Sequence, residues 1–230
     1  MTLLLDDRFS AIFTRLNDYF GDLHWWPAES PFEVAIGAIL TQNTAWRNVE
    51  LAINNLRDHD LLTASAISGM ARDALEELIR PAGFFHQKAE YLHLFAHHLC
   101  AVHQGQIESL LAGERAAVRS QLLACKGIGP ETADSILLYA GKHPTFVVDA
   151  YTRRLFSRLG LLSGSERYEF IRTLFMTQLT EDVELYAAYH ALIVEMCKQF
   201  CHKRHPDCAP CPLRTVCAAS TVTLPLDRFK

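Results

Sequence analysis

The sequence predicts an all-α protein, on three observations. Apolar residues recur near a 3.6-residue period along most of the 230-residue chain. Helix-start residues and glycine stops punctuate that pattern. The only strand-like run is short, from Thr145 to Val148.

The first helix is expected over residues 7 to 20, with Phe9, Ile12, Phe13, Leu16 and Phe20 on one face. Ser30-Pro31-Phe32-Glu33 opens the second. Ser30 caps it, Pro31 suits its first turn and Glu33 completes a capping box. The run FEVAIGAIL that follows is apolar almost all round, which puts this helix at the centre of a core. It leads into polar Thr41-Gln42-Asn43-Thr44, with Trp46 closing its C-terminal end. Further helical patterns cover about 46–58, 71–80, 87–103 and 114–124. The stretch LLACKGIGPETADSILLYAG, residues 122–141, sets two glycines between two helical patterns. Pro130 suits a first turn, Ala133, Ile136, Leu137 and Ala140 mark one face, and Gly141 suits a stop. After the strand-like run, Asp149 precedes a helix ended by Gly160. There is no internal repeat and no low-complexity segment.

Half of the residues are apolar, enough for a packed core. A net charge of −4 argues against a generally basic coat but leaves room for a local basic face. The opening MTLLLDDRFSAIF carries acids and an arginine before any long apolar run, which does not read as a signal peptide. No stretch reaches the roughly 18 apolar residues of a membrane span. The expectation is a soluble cytoplasmic protein of a bacterial or archaeal cell, associated with the nucleoid and not with a membrane. Four of the seven cysteines crowd into residues 201–217; in a reducing compartment that suggests metal more than disulfides.

Three features carry chemistry. Gly127 and Gly129 permit positive φ and let a ligand approach the backbone. The helix start after them offers amides and a dipole that suit a phosphate, although a plain helix–turn–helix corner would also need glycine. Asp149 reads as an N-cap and, compatibly, as a catalytic carboxylate that the cap holds in place. Arg153, Arg154 and Arg158 along the next helix read as a solvated face or as nucleic-acid contacts. Cys201, Cys208, Cys211 and Cys217 have the spacing C-x6-C-x2-C-x5-C. Thiolates suit zinc or iron–sulfur clusters; a zinc ribbon would use two C-x2-C pairs, and one pair among four thiolates fits a single [4Fe–4S] cube. Lys198, Lys203, Arg204 and Arg214 make this the most basic stretch of the chain, suited to backbone phosphates. Cys197 reads as a buried small residue, Cys100 and Cys125 as core, and His190 as a satisfied core histidine.

Hairpin, aspartate and cysteine spacing, in this order, resemble the endonuclease III branch of the helix-hairpin-helix DNA glycosylases, over about residues 28–217. The resemblance implies a six-helix domain with the hairpin, residues 28–134, and an iron–sulfur cluster domain, residues 1–27 plus 135–230, flanking a DNA-binding groove. It makes Asp149 the catalytic carboxylate and Cys201, Cys208, Cys211 and Cys217 the ligands of a [4Fe–4S] cluster. It puts Lys126, Gly127, Gly129 and Thr132 against a phosphate beside the lesion, with Lys203 and Arg204 on the DNA backbone. Gln42 matches a glutamine that family members push into the duplex where the damaged nucleotide leaves; the plainer reading is a polar helix end.

The sequence departs from the best-known pattern at Glu131. Bifunctional members carry there a lysine that attacks the sugar and then cuts the strand, and a carboxylate cannot form that Schiff base. The run Gly127-Ile128-Gly129-Pro130-Glu131-Thr132-Ala133-Asp134 resembles the 3-methyladenine DNA glycosylase III branch instead. Trp25, Trp26 and Trp46 flank one helix and either cap a core or stack on a flipped, cationic base. The implied activity is therefore monofunctional removal of an alkylated purine such as 3-methyladenine from double-stranded DNA, by a monomer. One alternative is an endonuclease III-type enzyme for oxidised or mismatched pyrimidines with AP-lyase activity. Another is a non-catalytic lesion-binding or redox-sensing DNA protein.

Overall fold

The computed structural model describes residues 6–23 and 25–222; the first five residues of the opening stretch lie outside them. Among the described residues there are helices and no β-strand. In chain order they are α1 (Arg8–Phe20), α2 (Pro31–Leu40), α3 (Trp46–Arg57), α4 (Ala64–Gly69), α5 (Arg72–Ile79), α6 (Phe85–His103), α7 (Ile107–Leu111), α8 (Arg115–Ala124), α9 (Pro130–Ser135), α10 (Ala150–Arg158), α11 (Tyr168–Gln178), α12 (Val183–Gln199) and α13 (Ala218–Val222). The expected all-α class is the one observed. No helix among the described residues is long and apolar enough to cross a membrane.

The chain divides into two compact units, Trp26–His143 and Met1–Trp25 with Pro144–Lys230. The boundary therefore falls after His143 and not at 134. The helix begun by α9 runs on through a π turn at Ile136–Ala140, and Ile136 and Leu137 belong to the core of the hairpin unit.

In the unit Trp26–His143, α2 is buried from Phe32 to Leu40, as its all-round apolar sequence requires. It packs against α3, α6, α7 and α9. Ile36, Ile39, Leu40, Leu56, Phe95 and Leu137 are among the residues with no exposed surface. Each such side chain removed from water contributes about 1.5–3 kcal/mol before entropy is counted. Ser30 caps α2 by accepting from the Glu33 amide at 3.1 Å. The box is only half made: Glu33 instead pairs with Arg57 of α3 at 2.7 Å. Trp46 opens α3 and does not end α2, because Thr41 to Ala45 turn the chain between them.

In the other unit the core is aromatic. Phe146 stacks on Phe175 at 4.0 Å, Phe9 meets Phe175 edge-on at 5.1 Å, and the buried Tyr189 hydroxyl donates to the Phe9 carbonyl at 2.8 Å. The Phe9–Ile12–Leu16 stripe of α1 is what docks the N-terminal helix on α12. Thr145 to Val148 is extended and buried, and belongs to no sheet.

Candidate active site

The hairpin joins α8 to α9. Ile128 is buried between the two glycines, and Ala133 is fully buried behind them. The two glycines differ. Gly127 has φ +89° and its backbone lies against the Tyr91 ring of α6, so a Cβ there would overlap the ring. Gly129 has φ −87°, which any residue adopts, and a Cβ there would meet nothing within 4 Å. Both glycines permit positive φ, and Gly127 adopts it while Gly129 does not. At Gly129 the missing side chain instead leaves the start of α9 bare, and no capping side chain covers its first-turn amides.

Lys126 is exposed and pairs with Glu90. Burying neither group, that pair is worth little and is readily exchanged for another anion. Glu131 is exposed in the first turn of α9, and its carbonyl accepts from Ser135 at 2.8 Å. Thr132 is buried. Gln42 donates to the Gly127 carbonyl at 2.8 Å and to the Thr132 hydroxyl at 3.2 Å. Gln42 braces the hairpin in the protein without DNA. The loop exposes its neighbour Asn43, left-handed at φ 54°.

The three tryptophans do not form one group. Trp26 stacks on Tyr139 at 4.8 Å and meets Trp46 edge-on at 5.3 Å, with the Trp46 indole donating to Glu50 at 2.7 Å. Trp26 and Trp46 line a cleft of about 490 Å³ with Glu29, Glu33, Gly37 and Glu50. Trp25 belongs to the other unit, where its ring meets His190 edge-on at 6.4 Å and carries the Lys198 ammonium 5.0 Å over its face. Tyr139, which sequence reading did not single out, joins the pair through Trp26.

Asp149 caps α10. Its Oδ1 accepts from the Thr152 amide at 2.7 Å and the Thr152 hydroxyl at 2.9 Å. Its Oδ2 lies 3.5 Å from Nε2 of His190, on α12. Burial opposes the charge most strongly. His190 and the Thr152 donors outweigh it, and hold the carboxyl below the usual carboxylate range. Asp149 is thereby ionised at neutral pH, with Oδ1 fixed by the cap and Oδ2 facing His190. Sequence reading assigned His190 to the core; it is buried, but it faces Asp149.

The arginines of α10 are not a solvated face. Arg153 donates to the Glu166 carbonyl at 2.7 Å and Arg154 to the Cys201 carbonyl at 2.8 Å. Arg158 donates to the Cys201 sulfur at 3.1 Å and to the carbonyls of His202 and Lys203 at 2.8 and 3.1 Å. Arg154 and Arg158 thereby hold a loop whose residues 202–207 are exposed, Lys203 and Arg204 included. Cys201 is buried, and its thiol is drawn down to about 6 by the neighbouring Cys197 sulfur first and by Arg158. Cys211 is pushed up to about 11, mainly by burial, with Cys217, Cys201 and Cys208 adding repulsion. Cys211 is therefore within electrostatic reach of the other three cysteines. Among the described residues no three His, Cys, Asp or Glu side chains converge as a single ion requires. The donor set, four cysteines with a single C-x2-C pair, is of the kind that a four-iron cluster takes.

Residues 36–181 match the family model described as HhH-GPD superfamily base excision DNA repair protein. The chain is 48% identical over 208 residues to a protein of Methanocaldococcus jannaschii named as a DNA repair glycosylase, covering 90% of this chain and 94% of that one. Its fold is similar to the Helicobacter pylori 3-methyladenine DNA glycosylase bound to 1,N6-ethenoadenine. There the TM-score is 0.72 at 29% identity, over 83% of this chain and 97% of that one. It is also similar to an endonuclease III in a non-covalent DNA complex, with a TM-score of 0.82 at 21% identity over 96% and 98% of the two chains.

Proposed function

From the premise that the chain belongs to the HhH-GPD superfamily of base excision DNA repair proteins and is a DNA N-glycosylase, we propose that it is monofunctional. We propose further that its substrates are alkylated purines such as 3-methyladenine in double-stranded DNA, met by one molecule per lesion. The observation that carries this reading is Glu131, exposed in the first turn of α9 where lyase members carry an amine. Support for the substrate comes from the likeness to the H. pylori 3-methyladenine glycosylase and from the cleft that Trp26 and Trp46 line. Its aromatic faces and carboxylates suit a flat cationic base.

The hairpin amides and the start of α9 bind a phosphate, with Lys126 exchanging Glu90 for the DNA backbone and Lys203 and Arg204 adding contacts. Gln42, matching the family's glutamine, leaves the hairpin to fill the space vacated by the extruded nucleotide. A base alkylated on a ring nitrogen leaves as a neutral molecule, taking the electron pair of the N-glycosidic bond. The chain then need supply little acid catalysis. Oδ2 of Asp149 stabilises the cationic sugar and takes the proton of the attacking water, while Oδ1 stays on Thr152.

Cys201, Cys208, Cys211 and Cys217 would hold the [4Fe–4S] cluster. Bound there, it supplies a cross-link that orders the basic loop for DNA, and no step of base removal runs through it.

The test is release of free base from duplexes carrying 3-methyladenine, 7-methylguanine, hypoxanthine, uracil or thymine glycol, each run with borohydride. Release of alkylated purines with strands intact until alkali is added is the expected result. Release of thymine glycol with efficient borohydride trapping would establish the endonuclease III-type reading instead.

A further inference from the structure

We propose that His190 is a positioning residue for Asp149: it holds the second carboxylate oxygen in place and ionised for base removal. The inference rests on Asp149 being the reacting carboxylate. Its geometry lies within one unit. The Thr152 amide and hydroxyl occupy Oδ1, and α12 brings His190 Nε2 to 3.5 Å from Oδ2. A proton on Nε2, in the neutral ring or the imidazolium alike, points a donor at the one oxygen the cap leaves for chemistry. At 3.5 Å that contact is long enough to be exchanged or tightened when substrate arrives.

The ring itself has little room to move. It is 5% exposed, it rides on the packed face of α12, and the edge-on Trp25 ring flanks it. The other charged or titratable groups near the carboxylate do not substitute for it. Tyr151, on α10, feels Asp149 and is pushed up by burial first and by that charge. The Arg154 guanidinium lies over the Tyr151 ring at 4.9 Å and donates to the Cys201 carbonyl. Arg153 is taken by the Glu166 carbonyl. Cys197, on α12, donates to the Tyr151 carbonyl at 3.6 Å. Lys198 sits on Trp25. Against strong desolvation, His190 is the largest influence that keeps Asp149 charged.

Removing it therefore has a signed consequence. The Asp149 carboxyl titrates higher, so the acid limb of base excision moves to higher pH while the alkaline plateau recovers. His190→Phe keeps the ring volume and deletes the donor; His190→Gln keeps a donor. Single-turnover excision would be followed between about pH 4 and 9 on duplex DNA carrying radiolabelled methyl groups on its purines. In parallel, the affinity for a duplex with a tetrahydrofuran abasic analogue would be followed over the same range, which needs no turnover. We expect His190→Phe to move the acid limb of both curves up by about one pH unit, with His190→Gln close to wild type. Unmoved curves in a folded His190→Phe, or an equal drop at every pH in both variants, would overturn the proposal and leave His190 a core residue. Asp149→Asn is measured alongside. Wild-type excision by Asp149→Asn would overturn the reading of Asp149 itself, whatever His190 does.

Discussion

The hairpin and the cysteine loop are both proposed to grip DNA, yet they are built by opposite means. The hairpin is a product of packing: Ile128 and Ala133 are buried, Gly127 lies on Tyr91, and Gln42 braces the turn from the loop after α2. The loop from Cys201 to Cys217 has little core of its own beyond Leu213, and residues 202–207 are exposed. Hydrogen bonds hold it in the protein: Arg154 and Arg158 on three of its carbonyls and one sulfur, the Asp207 amide on the Phe200 carbonyl and the Cys217 thiol on the Arg158 carbonyl among them. One region needs only its neighbours to reach its working shape. The other is a basic surface that lacks apolar burial, and such a segment needs a cross-link to stay ordered.

The largest effect should come from cutting that cross-link. Cys211→Ser should cost the protein its brown colour and most of its roughly four irons. It should lower Tm by on the order of 10 °C, the scale of a few kcal/mol in a chain of this size. Limited proteolysis should then cut within 202–217, while amide exchange at Ile128 and Ala133 stays slow. A colourless wild type holding one zinc would break the comparison on its metal side. Exchange that quickens equally in hairpin and loop would break it on the structural side.

A smaller effect should follow from Gly127→Ala. Alanine at φ +89° costs about 1–2 kcal/mol for the backbone, and its Cβ must displace the Tyr91 ring, at ~1–3 kcal/mol more. Chemical denaturation should show that loss, and the visible spectrum of the cysteine loop should not change. An unchanged denaturation midpoint would mean the hairpin is less firmly packed than its burial implies.

How much of this was legible in the sequence follows the same divide between local and long-range causes. The Asp149 cap, the Ser30 cap and the cysteine spacing are set within a few residues of chain, and they could be read directly. So could the central place of α2, because an all-round apolar helix has nowhere else to go. What stayed hidden depends on partners distant in sequence. Nothing near Gln42 says that its amide bonds the Gly127 carbonyl, and nothing near His190 says that α12 turns it towards Asp149. Arg154 and Arg158 look like an ordinary charged face until the loop they hold is in place. Trp25 and Trp26 are adjacent in the chain and belong to different units. The boundary after His143 was missed because α9 continues as a π turn, which carries no stop signal at 134.

The smallest effect on stability, and the sharpest on function, should be that of Gly129→Ala. Gly127 and Gly129 look equivalent in the sequence, and one turn motif would explain both. Their backbones say otherwise. Gly129 has φ −87°, open to any residue, and an added Cβ would meet nothing within 4 Å. Folding therefore gives no reason for glycine there, and the substitution should leave Tm within about 2 °C, the effect of an ordinary surface change. If a phosphate sits on the first-turn amides of α9, the methyl group stands in its path, because that approach needs bare backbone. DNA affinity should then fall on the order of tenfold or more, as one lost phosphate contact of about 1.4 kcal/mol implies. The salt dependence of binding should weaken along with it. A Gly129→Ala protein that binds an abasic-analogue duplex as tightly as wild type would mean the hairpin does not hold a phosphate at this point. Its glycines would then be there for Gly127's turn alone, and the grip on DNA would pass to the cysteine loop.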